Sequence, residues 1–147
     1  MTLARLGPIR FLTIHCAATP EGRDNSAAEV NAWDIEMFGQ ISYHWLIELD
    51  GDAIRGLPDS MKGAHVGRAN TGNIGICYIG GTTTLNSGAK PKDTRTTAQN
   101  IALRTLVRTY QARVRGLIVR GHNEWPGVAK ACPSFSVAKW LAEGMPV

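Results

Sequence analysis

Residues 9–15 read IRFLTIH, an unbroken apolar, β-branched run that ends on a histidine. Its length is that of a strand, and the lack of alternation predicts a central strand buried on both faces. The same character recurs in NIGICYIGG (73–81), closed by a glycine pair, and more briefly in GLIVRG (116–121). Helix signals lie between these runs. Ser26 with Glu29, and Thr96 with Gln99, have the spacing of capping boxes. The first predicts a helix carrying Val30, Trp33 and Met37 on one face. The second predicts a helix to about Val114, with Ile101, Leu103, Leu106, Val107, Tyr110 and Val114 nearly all at helical spacing. In YHWLIELDGDAIRG (43–56), Asp50-Gly51 supplies a hairpin turn. Residues 82–93 read as a loop, and SFSVAKWLAEG (134–144) as a last short helix. The order β-α-β-β-β-α-β-α specifies an α/β (α+β) fold: one central mixed β-sheet with helices packed on its faces.

Composition bounds the function classes. The chain has 147 residues, 44% hydrophobic and 19% charged, which is globular rather than disordered. No repeat or linker divides it, so a single domain over residues 1–147 is expected, with its core in about 9–144. No run approaches the roughly 20 apolar residues that span a bilayer. Arg5 and Arg10 interrupt any signal-peptide core, so synthesis in the cytoplasm without an export signal is expected. Three cysteines cannot all pair; Cys16 and Cys77 sit in strand-like runs as buried thiols, while Cys132 lies in a loop. The net charge of +4 favours anionic polymers as partners. Arg104 and Arg108, with Arg115 beyond them, form a basic stripe that reads as a solvated face or as attraction to anionic envelope polymers or nucleic acid. Without interleaved aromatics it does not support base stacking.

The segment HNEWPGVAKACPSF (122–135) gathers His122, Glu124, Lys130 and Cys132. His15 and His122 each end a predicted strand. If those strands are neighbours, both imidazoles emerge at one end of the sheet, and the glycine-hinged loop can return Cys132 to them. Two imidazoles and a thiolate leave a fourth tetrahedral position open, the arrangement of a catalytic zinc centre. Spacing alone favours a core histidine and a buried thiol, since no CxxC or HExxH pair anchors a metal. It also fits a Cys132 nucleophile with His122 as base, which leaves His15 unused. Pro133 favours an extended Cys132, so Lys130, two residues earlier, should project to the same side. An ammonium there suits a developing oxyanion. Tyr43 and His44 point to opposite faces, so at most one addresses the site. His65 sits in a glycine-flanked loop as a substrate contact or a further ligand.

Four segments, IRFLTIHCAAT, SYHWLI, GAHVGRANTGNIGICYIGG and RGHNEWPGVAKACPSF, together resemble the zinc-dependent N-acetylmuramoyl-L-alanine amidases of the amidase-2 type. That family shares a superfamily with the peptidoglycan recognition proteins. The resemblance runs in register from about residue 9 to 141. It implies Zn2+ held by His15, His122 and Cys132 at one edge of the sheet, with Tyr43 and Lys130 as catalytic residues. It also implies His65, Asn70 and Asn73 as substrate-binding residues of the GAH…N segment. The implied reaction is hydrolysis of the amide between N-acetylmuramic acid and L-alanine of the peptidoglycan stem. Tyr43 and Glu124 are the candidates for handling the attacking water. A monomer without a cell-wall-binding domain is expected, delivered to periplasmic peptidoglycan by a holin-type route. Among phage members the resemblance implies an RNA polymerase as a second partner, although the N-terminal arm MTLARLGP departs from their pattern. The loop from His122 to Lys130 is longer than in those members, with Trp125-Pro126-Gly127 in the extra space, which should alter the cleft rim and leave the ligands.

Overall fold

The computed structural model describes residues 3–84 and 88–147. The apolar run forms strand β1 (Phe11–Cys16), flanked on one side by β5 (Asn73–Tyr78) and on the other by β7 (Ile118–Gly121), both parallel to it. Beyond β5 lies β3 (Trp45–Ile47), also parallel, and antiparallel β4 (Ala53–Arg55) closes the edge. The five-stranded order is therefore β4-β3-β5-β1-β7. The β3–β4 turn places Asp50 before Gly51 at φ +91°, with Gly51 N–H donating to Glu48 O and Asp50 Oδ1 accepting from Asp52 N–H. Left-handed backbone of this kind is cheap for glycine alone.

Burial on both faces of β1 has a different cause on each. Leu12, Ile14 and Cys16 point one way, with Ile74, Ile76 and Tyr78 of β5, into the main core. That core is completed by Leu103, Val107 and Tyr110 of α2 (Thr97–Arg113) and by Val137 and Trp140 of α3 (Val137–Ala142). The alternate positions, Thr13 and His15 of β1 with Asn73 and Gly75 of β5, face a polar layer of histidines. An apolar run thus hides a face built for chemistry.

Both capping boxes form. Ser26 caps α1 (Ala27–Phe38) with Glu29 in reciprocal hydrogen bonds, and Thr96 caps α2 with Gln99 in the same way. Each contributes about 1 kcal/mol and fixes where its helix starts. The expected buried face of α1 is corrected: Ala27 and Val30 are buried, but Trp33 is 44% and Met37 75% exposed. Only the start of α1 packs on Leu46 and Ile79 of the sheet, while Met37 and Phe38 at its end wall a cleft. Sequence periodicity marks an apolar face without saying how far the sheet extends beneath it. A two-stranded parallel ribbon of β2 (Thr19–Pro20) and β6 (Gly81–Thr82), absent from the expected order, forms on that side. The loop expected over 82–93 begins with β6, and 85–87 lie outside the described residues.

Tyr110 joins α2 to the sheet edge. Trp45 Nε1–H donates to its hydroxyl at 3.0 Å, and the hydroxyl donates to Asp59 Oδ1; Arg55 donates to the same oxygen and Arg113 to Oδ2. Burial pushes the Asp59 carboxyl up, but these three donors outweigh it and hold it below its ordinary value.

Candidate metal centre

Parallel pairing of β1 and β7 puts Ile14 opposite Gly121, so the next residues, His15 and His122, emerge side by side. Their ring centroids are 4.7 Å apart. After a 3-10 turn (His122–Glu124) the chain loops out and returns, with Asn123 N–H donating to Cys132 O at 2.8 Å. Cys132 Sγ then lies 3.8 Å from His15 Nδ1 and accepts from Cys16 N–H at 3.2 Å. Tyr78 O–H holds the following turn through Pro133 O at 2.6 Å, and Ser134 O–H holds it through Gly81 O at 2.9 Å. Donor atoms of His15, His122 and Cys132 all fall within 4.8 Å of one another, a group that could hold a metal ion. The two histidines are over a hundred residues apart in the chain, and the sheet alone brings them together.

The donor chemistry fits a borderline-soft ion such as zinc: two imidazoles and one thiol, with a cleft on the open side. Burial, then the charges of His65, His122 and Lys130, push His15 well below the ordinary imidazole value. Burial and Lys130 lower His122 likewise. Both are neutral near pH 7, with lone pairs free for a cation. Cys132 is pushed up by its hydrogen-bonded neighbour Cys16 and by burial, so its thiol would give up a proton on binding a cation.

Lys130 and Cys132 line the same cleft, of about 370 Å³, with Tyr43, Met37 and Phe38. No carboxylate pairs with Lys130 among the described residues. Tyr43 packs its ring 5.1 Å from that of His15. Burial raises its hydroxyl well above the usual phenol value, so it meets a ligand as a neutral O–H. His44 is turned away into the fold, its Nε2 2.7 Å from Met61 O and its Nδ1 accepting from Gly75 N–H. An adjoining hollow of about 300 Å³ is lined by Phe38, His65, Asn70 and Lys130. Two other hollows, near Arg95 and Trp140 and beside Ile101 and Leu106, are of similar size; the second is bordered by Asp50, which with Glu48 and Asp52 forms a mostly exposed acidic group and brings no nitrogen or sulphur donor.

The GAH…N segment is occupied with itself. Asn70 Oδ1 accepts from the amides of His65 and Val66, folding the loop. Asn73 is fully buried, its Oδ1 accepting from Thr13 O–H and its Nδ2–H donating to Ala69 O. His65 is 7% exposed, between Asn73 O and His15. Of the three, Asn70 and His65 line the open hollow and Asn73 does not. Glu124 does not face the metal group: Oε1 accepts from Gly121 N–H at 2.7 Å and Oε2 from Ala138 N–H at 3.1 Å, tying the turn to α3. Trp125, expected to shape the rim, folds back onto the sheet. Its ring packs edge-on to Phe11 at 5.0 Å under the Arg120 guanidinium, and Nε1–H donates to Thr13 Oγ1 at 2.9 Å. Alternation along β1 (Phe11, Thr13, His15) was the available signal for Thr13.

Burying histidines has a measurable cost in acid. Burial pushes His65 down to about 3 and lowers His44 as well. Both resist protonation more when folded than when unfolded, so their stabilisation is present above the ordinary value of 6.5 and is lost as pH falls below it, for His65 down to about 3. The chelated protein is expected to lose about 2 kcal/mol between pH 7 and pH 5 from His65 alone. Urea unfolding at the two pH values measures this, and equal midpoints would contradict it.

Convergent nitrogen and sulphur donors, an uncompensated ammonium and a neutral phenol on one cleft fit a hydrolase of the metal-assisted class. The chain belongs to the N-acetylmuramoyl-L-alanine amidase family (Amidase_2), whose profile matches residues 5–135. It is 32% identical over 128 residues to the endolysin of Escherichia phage T7, covering 86% of this chain and 82% of that one. Its fold is that of the Ph2119 endolysin from the Thermus scotoductus MAT2119 bacteriophage, with TM-score 0.78 and 19% identity over 99% of this chain and 90% of that one. It is also that of bumblebee PGRP-SA, with TM-score 0.72 and 21% identity over 96% and 85%. The chain is accordingly a peptidoglycan amidase of the endolysin type.

Proposed function

We propose that the protein is a zinc-dependent hydrolase that cuts the amide between the lactyl group of N-acetylmuramic acid and L-alanine of the stem peptide. The observation that carries this reading is the convergence of His15, His122 and Cys132 beside a cleft lined by Lys130 and Tyr43. His15, His122 and Cys132 hold Zn2+, which when bound supplies a Lewis acid for the carbonyl and lowers the pKa of a water. Lys130 brings a fixed positive charge toward the oxygen that becomes an oxyanion. Unpaired in the ground state, it gains its partner as the carbonyl goes tetrahedral, which is where binding accelerates a reaction. Tyr43, held as a neutral phenol, donates a hydrogen bond to the same oxygen or orients the water. Asn70, which lines the adjoining hollow with an edge of His65, contacts the stem peptide, while buried Asn73 supports that wall from behind.

No helix among the described residues is long and apolar enough to cross a membrane. We place the site of action at periplasmic peptidoglycan, reached from the host cytoplasm by holin-type release. Mass spectrometry of digested peptidoglycan tests the reaction. Free stem peptides with an N-terminal L-alanine amine, and glycan strands with intact lactyl groups, are expected. New reducing sugar ends, or cuts between stem residues, would overturn it.

A further inference from the structure

A directional chain of hydrogen bonds runs behind the metal group. His65 Nε2 lies 2.9 Å from Asn73 O, and a carbonyl oxygen only accepts, so Nε2 carries the proton. A neutral imidazole has one N–H, which leaves His65 Nδ1 a bare acceptor. That nitrogen lies 2.9 Å from His15 Nε2, so His15 must donate from Nε2. By the same count His15 Nδ1 carries a lone pair, and Nδ1 is the nitrogen 3.8 Å from Cys132 Sγ. The anchor is fixed in turn: Asn73 is gripped through its side chain by Thr13 and Ala69, and Thr13 accepts from Trp125 Nε1–H. The His65 ring is clamped from behind, since a Cβ on Gly75 would come within 2.8 Å of it.

We propose that His65 is a positioning residue: its Nδ1, made a pure acceptor by the Asn73 carbonyl, holds His15 as the Nε2–H tautomer and reserves Nδ1 for the metal. This rests on the reading that His15, His122 and Cys132 bind zinc. It gives the histidine of the GAH segment a role behind a ligand instead of against substrate. Second-layer partners of this kind orient a ligand and are worth 10–100-fold in metal affinity.

Long-range 15N–1H correlation of the histidine rings in the full-length chain, zinc-loaded and after chelation, reads the tautomer directly. A proton on His15 Nε2 in both states, with Nδ1 as the zinc-shifted nitrogen, is expected. A proton on Nδ1 in the chelated chain, or zinc on Nε2, would overturn the proposal. Zinc affinity, measured by competition with a chromophoric chelator, is expected to fall about 10–100-fold in His65→Ala. His65→Asn, whose Oδ1 falls close to the place of Nδ1 and can accept from His15, should recover much of it. Unchanged affinity in His65→Ala, or an Asn variant as weak as Ala, would contradict a tautomer-fixing role. Were the wild-type chain to bind no zinc, the functional reading would fail, while the tautomer of the chelated chain would still decide this proposal.

Discussion

Cys132→Ala is expected to lose zinc and at least about a thousandfold in amidase turnover, the several kcal/mol that a Lewis acid supplies to an acyl-transfer barrier. Two imidazoles remain in this variant, but a pair of neutral nitrogens lacks the anionic donor that neutralises part of the cation's charge. The fold should survive, because Cys132 is only partly buried and the turn after it is held independently by Tyr78 and Ser134. The same variant separates the zinc enzyme from a cysteine hydrolase. In the wild-type chain, Cys132 as a nucleophile would be alkylated whether or not zinc is present, whereas as a ligand it is protected by its metal. Zinc content, far-UV dichroism and muropeptide release on one preparation measure all three. Normal zinc with activity gone would point to nucleophilic catalysis instead.

Lys130→Ala should leave zinc content and fold intact and lower kcat about 10²–10³-fold, the usual loss when one oxyanion-directed group is removed. KM should change little, since the ammonium meets a full negative charge only in the transition state. The supporting observation is its position: it lines the cleft with both metal-side histidines and no carboxylate pairs with it among the described residues. A rise in KM with kcat preserved would make Lys130 a ground-state binder.

Local signals carried well into the structure. Ser26–Glu29 and Thr96–Gln99 are determined within four residues, so both capping boxes were legible and both formed. The run at 9–15 gave its strand, and the pairing of that strand with β7 followed from the fold class only as a condition. Which neighbour it has depends on packing across the whole sheet. Long-range side-chain choices were not legible. Glu124, acidic and close to a ligand in sequence, spends both oxygens on backbone amides of β7 and α3. Trp125 looked like part of a turn and instead pins the loop to Thr13, 112 positions away. His65 read as a loop contact and Asn73 as a substrate-binding residue by resemblance, and only the geometry turns them into a buried relay. The β2–β6 ribbon, two residues to a strand, is too short for any periodicity to mark.

On the proposed reading, hydrolysis depends on one zinc ion held by His15, His122 and Cys132. Stripping the purified chain with a chelator, removing the chelator and titrating zinc back puts this dependence to the test. Turnover of peptidoglycan is predicted to vanish in the stripped protein and to return in proportion to zinc, saturating at one equivalent per chain. Undiminished turnover in verified metal-free protein would contradict it.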